Sequence, residues 1–221
     1  MKCVLLSVNN IDEDYAFNRL KEYIEPNMKV LCIPFASDLN WLIDNEKSEL
    51  EKYGRFWTSH YKPFSKYGIT EDNFYVAKIH DNEYELKKII SESDIIYFSG
   101  GQMEKLTRLL YHYNLIDYLL FHINEKIFIG ESAGALVLQD EYTEVPHIDE
   151  CYNRYRREKG IGIINNMNII VHYDEHNRKH RRNFRLLKWF GRRGKNVVCL
   201  SNDGAVLITD NNIEYLGKVY K

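Results

Sequence analysis

The 221-residue chain has no apolar run approaching the ~20 residues that a helix needs to cross a bilayer. Its opening run, Met1 to Val8, stops at Asn9 and Asn10 and is too short for a secretory leader with a cleavage site. An excess of charge is missing too. Lys and Arg total 30 against 32 Asp and Glu, a formal net charge of −2, so no whole-chain field draws the protein to a polyanion. The expected partner is a small molecule, not nucleic acid or a membrane. Cysteine is scarce: Cys3, Cys32, Cys151 and Cys199 form no C-x-x-C pair, and three of them lie in apolar runs. That pattern speaks against a disulfide framework and predicts buried free thiols in a reducing cytoplasm. Repeats, low-complexity tracts and linkers are absent. A chain of this length buries enough surface to fold without metals or disulfides, which predicts one domain over residues 1–221. Monomer and homodimer both remain open.

What is present is alternation. Short β-rich runs (Cys3–Val8, Lys29–Pro34, Phe74–Ile79, Asp94–Ser99, Lys126–Ile129) are separated by helical patterns at Asp12–Ile24, Asp38–Leu50, Asn82–Ser91, Met103–Tyr113 and Leu115–Ile123. This order predicts βαβ units in a three-layer α/β fold, a mostly parallel, doubly wound sheet with helices on both faces. The aromatic stretch Tyr53–Tyr67 reads as a segment packed on the sheet. Gln139–Gly160, with six acidic and five basic or histidine residues, reads as a surface excursion over the sheet edge. Order returns with Ile163–Val171, a helix over Asn177–Phe190, and the runs Val197–Leu200, Ala205–Thr209 and Ile213–Val219. Asn211 and Asn212 mark a hairpin turn between the last two.

Gly130, Glu131, Ser132, Ala133 and Gly134 spell G-x-S-x-G between an apolar strand and the helix-compatible run Ala135–Leu138. A strand-to-helix turn this tight needs small flanking residues, and it thrusts the serine hydroxyl out at the carboxyl edge of the sheet. A serine needs a base, because its hydroxyl is almost fully protonated at neutral pH. His172 ends a strand-like run and, in a parallel sheet, emerges at the same edge as Ser132. The base needs an acceptor to fix its tautomer. Asp203, beyond the run Val197–Leu200, is the expected acid, with Glu144 the alternative. Ser99, Gly100, Gly101 and Gln102 follow another strand, and the N–H groups of Gly101 and Ala133 are the expected oxyanion donors. No metal or cofactor is called for.

These residues resemble the alpha-aspartyl dipeptidase (dipeptidase E) family of serine peptidases, relatives of cyanophycinase with a class I glutamine amidotransferase-like fold. The resemblance rests on VLCIPFAS at Val30–Ser37, YFSGGQ at Tyr97–Gln102, IGESAGA at Ile129–Ala135 and the strand-end His172, and it spans essentially the whole chain. It implies hydrolysis of short peptides, dipeptides with an N-terminal aspartate, through an acyl-enzyme on Ser132. The order serine, histidine, acid also separates it from common α/β-hydrolases.

Departures gather at specificity. Gln102 and Met103 follow the glycine pair where the family has Asn or Asp with Thr. Val171 precedes His172 in place of proline. The family's glycine-glutamate-threonine-arginine setting for the aspartate-binding arginine is missing, and Arg178, Arg181 and Arg182 stand in that region. Three other readings share the fold: a cyanophycinase-like hydrolase of aspartyl-arginine peptides, a ligand-binding protein without turnover, and a glutamine amidotransferase. The last would need cysteine where Ser132 stands.

Overall fold

The computed structural model describes residues 1–37, 55–78, 80–144, 156–174, 178–210 and 212–221. Five strands form the parallel part of the sheet: β1 (Lys2–Leu6), β2 (Val30–Ile33), β3 (Phe74–Val76), β4 (Ile95–Phe98) and β5 (Ile127–Glu131), in the order β1-β5-β4-β2-β3. β9 (Val197–Thr209) pairs antiparallel with β1, β10 (Asn212–Tyr220) pairs antiparallel with β9, and β8 (Asn168–Ile170) pairs parallel with β9. The doubly wound α/β expectation is met, with an antiparallel edge added.

Alternation along the strands divides the core into two layers, because successive side chains point to opposite faces. Cys3, Leu5, Leu31, Ile33, Ile96, Phe98 and Phe128 are buried in one layer. Against them pack Leu86 and Ile90 of helix Glu83–Glu92, Leu106 and Leu110 of Met103–His112, and Leu119 of Ile116–Phe121. Val4, Leu6, Val30, Cys32, Ile95, Tyr97 and Ile129 face the other way, toward Ala16 and Leu20 of helix Asp14–Leu20 and toward Phe64 and Tyr67. The aromatic stretch therefore packs on the sheet where it is described. The expected helix over 38–50 lies outside the described residues, as does Cys151. Cys3, Cys32 and Cys199 are buried free thiols, and burial pushes all three above the usual thiol range. Among the described residues no helix is long and apolar enough to cross a membrane.

Two expectations are corrected. Within the Gln139–Gly160 excursion, β6 (Glu141–Glu144) and β7 (Arg156–Lys159) form an antiparallel ribbon whose register sets Glu141 opposite Lys159 and Glu144 opposite Arg156. The opposite charges of Glu141 and Lys159 favour that pairing, and Tyr142 is buried there. The runs Val197–Leu200 and Ala205–Thr209 are one 13-residue strand, β9. Only Ala205–Thr209 pairs with β1, so the first half overhangs the sheet beyond Leu6.

Candidate active site

β5 ends at Glu131 and a helix begins at Ala133, so the chain turns within one residue, Ser132. Its φ of 49° and ψ of −109° lie where a side chain crowds its own backbone, at a cost of about 1–3 kcal/mol. The surroundings impose the turn. The Ser132 N–H donates to the Leu6 carbonyl at 2.9 Å. The helix also crosses the strand ends so closely that a methyl group on Gly134 would sit 2.2 Å from Phe98 O, and one on Gly130 2.6 Å from the Gly134 carbonyl. Glycine alone fits at either position, which gives the spacing of the motif its physical content.

His172 reaches this turn by another route than a parallel sheet would give. β8 runs parallel to the overhanging half of β9, and β9 runs antiparallel to β1, so β8 approaches the carboxyl edge of β1 and β5 from beyond it. Its end is then tied down. The His172 N–H donates to Ser7 Oγ (3.0 Å), and the buried Ser7 hydroxyl donates to Leu200 O (3.0 Å). Asn183, on helix Arg178–Gly191, donates to the carbonyls of His172 (2.8 Å) and Val171 (3.1 Å). These bonds hold His172 at a φ of 55°. Its Nε2 lies 2.9 Å from Ser132 Oγ, and its Nδ1 lies 2.8 Å from Asn202 Oδ1. An amide oxygen only accepts, so Nδ1 carries the hydrogen and Nε2 is left to accept from the serine hydroxyl.

The acid expected behind the imidazole is not the group that stands there. Asp203 is well exposed and pairs with Lys218 at 3.2 Å. Strand alternation sends neighbours 202 and 203 to opposite faces, and the inward one is Asn202. Its N–H donates to Asp174 Oδ1 at 3.2 Å, and its carbonyl accepts from Asn10 Nδ2. The backbone of Glu144 closes β6; its side chain lies outside the described residues.

The loop after β4 lies against the serine. A methyl group on Gly100 would sit 3.2 Å from Ser132 Cβ, and Gly101 has a φ of 140° with its Cα pressed on the Ala36 carbonyl. Ala133 opens its helix, so no carbonyl one turn back in that helix takes its N–H. Gly100, the neighbour of Gly101, and Ala133 both adjoin Ser132. Arg178, Arg181 and Arg182 occupy the first turns of the helix that holds Asn183, and their side chains lie outside the described residues.

Beneath the turn is a cluster with Glu131 at its centre. Tyr97 donates to Glu131 Oε2 at 2.5 Å, and the N–H groups of Gly100 and Asn9 donate to the same carboxylate. His60 Nδ1 is 2.7 Å from the Tyr97 oxygen and 3.5 Å from Glu131 Oε2. Burial raises the carboxyl above its usual range and lowers the His60 imidazole to about 4. The unfolded chain takes up the His60 proton near pH 6.5, the folded chain only near pH 4. His60 therefore contributes stability that is complete above pH 6.5 and is lost as pH falls toward 4, on the order of 3 kcal/mol. Glu131 acts in the opposite sense, since a raised carboxyl contributes stability at low pH that is lost as pH rises through its folded value. Comparing chemical denaturation of the parent and His60→Gln from pH 4 to 7 isolates the histidine. The variant should lose that part of the pH slope, and matching slopes would show that His60 is not held neutral by the fold.

The sequence model of peptidase family S51 matches residues 4–216, which is nearly the whole chain. The chain belongs to peptidase family S51. Membership makes it a hydrolase of the serine peptidase class. A "putative peptidase E protein" from Listeria monocytogenes EGD-e shares the fold, with a TM-score of 0.70 at 17% identity over 98% of both chains. A peptidase from an acI-B1 Actinobacterium does so with a TM-score of 0.67 at 18% identity, over 98% of this chain and 87% of the other. No curated protein matches.

Within this S51 chain, sequence reasoning missed Asn202, Ser7, Asn183 and the Glu131 cluster. The signal for Asn202 was strand parity beside Asp203, which needs the strand's face to be known. Glu131 stood in the variable position of the motif, where letters alone assign it nothing.

Proposed function

We propose that this protein is a serine peptidase that hydrolyses short peptides, dipeptides with an N-terminal aspartate above all, through an acyl-enzyme on Ser132. The observation that carries this reading is the 2.9 Å contact between Ser132 Oγ and His172 Nε2 at a strained strand-to-helix turn. Ser132 Oγ attacks the peptide carbonyl carbon while its proton passes to His172 Nε2. The N–H groups of Gly101 and Ala133 receive the oxyanion. As the C–N bond breaks, His172 returns the proton to the leaving amine. A water then gives its proton to His172 and attacks the ester, and the acid product leaves with Ser132 restored. Asn202 holds the imidazole tautomer in this scheme. It brings no negative charge to the imidazolium, so its part is orientation.

The acidic substrate rests on the family resemblance and on the position of Arg178, Arg181 and Arg182 on a helix anchored to His172 through Asn183. A guanidinium can hold a carboxylate by two parallel hydrogen bonds, a geometrically selective contact. Kinetics on a panel of aspartyl, asparaginyl, glutamyl and neutral dipeptides tests it. Changing the true anchor to methionine should lower the aspartyl to asparaginyl ratio of kcat/KM by roughly thirtyfold, because a charged partner loses its mate. If all three variants keep the parent's ratio, or the parent does not distinguish the two substrates, the acidic preference is wrong and the peptidase stands without it.

A further inference from the structure

Glu131 is a carboxylate taken out of water beside a nucleophile, and among the described residues it has no cationic partner. The titratable group at hand, His60, is 3.5 Å away; with its basicity lowered to about 4, it is neutral at pH 7. Burying a carboxylate costs several kcal/mol unless charge or hydrogen bonds compensate. Three hydrogen bonds do so in part, from Tyr97, Gly100 and Asn9. A carboxylate has about four acceptor positions, and the described residues leave one of them unused. The side chain keeps 15% of its surface exposed. It also lies on the nucleophile's side of the loop, since a methyl group on Gly100 would be 3.5 Å from Glu131 Oε1 and 3.2 Å from Ser132 Cβ.

We infer that Glu131 is the anchor for the free α-ammonium group of a peptide substrate, a reading that rests on the peptidase activity proposed for Ser132. The distances of peptide chemistry support it. The α-nitrogen of an N-terminal residue is two bonds from its carbonyl carbon, about 2.5 Å away. When Ser132 attacks that carbon, the ammonium must lie next to the turn, where Glu131 stands. Electrostatics makes the match selective. An uncompensated carboxylate beside a forming oxyanion raises its energy, and a bound ammonium cancels that repulsion while gaining an ion pair. A blocked N-terminus forfeits both effects. The site therefore fits peptides cleaved after a free N-terminal residue, and it disfavours internal bonds of longer chains.

The test compares three substrates that differ at one group: a dipeptide with a free amine, its α-hydroxy isostere, and its N-acetyl form. The parent should prefer the free amine by about a hundredfold or more in kcat/KM, and Glu131→Gln should shrink that preference at least tenfold by slowing the free-amine substrate alone. A parent that treats the three alike overturns the inference without any variant. So does a variant in which all three fall by one factor, which is the signature of a brace for the Gly100 loop. Glu131→Ser serves as the second neutral replacement if Glu131→Gln does not fold. Fluorophosphonate labelling of Ser132 in the parent separates the two readings: labelling without amine selectivity defeats the anchor alone, and no labelling defeats the peptidase and the anchor with it.

Discussion

Ser132→Ala should lower peptide hydrolysis by about 10⁴ to 10⁶ while keeping a cooperative thermal transition close to the parent's. The rate follows from losing the atom that forms the acyl bond; without it, whatever the oxyanion donors and binding contribute is all that remains. Stability should change by about 1 kcal/mol or less, since the variant forfeits one hydrogen bond, to His172 Nε2. Alanine meets the same backbone strain at φ 49° that serine does, so the turn itself is not relaxed. Activity within about tenfold of the parent would remove Ser132 from the chemistry. Loss of the thermal transition would make it a structural residue.

Asn202→Leu should slow turnover by about a hundredfold or more, with Asp203→Asn within a few fold of the parent. Asn202 Oδ1 is the acceptor that keeps the Nδ1 hydrogen in place and Nε2 open toward Ser132, and general base catalysis is worth about 10²–10⁴ in rate. Asp203 points to solvent beside Lys218, where water and salt screen an exposed ion pair so that it contributes little. Glu144→Gln is the third arm of the same experiment. A loss there that exceeds the loss at Asn202 would place the acceptor on the β6 side, and a dominant loss at Asp203 would contradict the strand geometry.

These two experiments also mark how far the sequence carries. The parallel strands, the two helical layers and the turn at Ser132 were legible because local forces set them. Apolar runs of strand length alternate with amphipathic helices, and Gly130 is required by its contact with the nearby Gly134 backbone. The third member of the site was not legible, since it depends on which face of β9 residue 202 occupies, and a one-residue step reverses that. The route of His172 was hidden as well. Its sheet edge was expected from parallel strands, yet β9 is antiparallel to β1, and only the overhang of its first half brings β8 back to Ser132. Such overhang is a product of the whole sheet, not of any local pattern. Ser7 is a small polar residue whose partners, His172 and Leu200, are distant in the chain, and Asn183 bonds the backbone carbonyls of Val171 and His172, ahead of its own helix, so nothing beside either residue announces the contact.

The most direct test of the account is covalent labelling of the folded protein with an active-site fluorophosphonate, followed by intact mass and peptide mapping. The account predicts one adduct per chain, on Ser132, formed far more slowly in His172→Ala because the hydroxyl has lost its base. An adduct on another residue, no adduct at all, or equal labelling with and without His172 would contradict it.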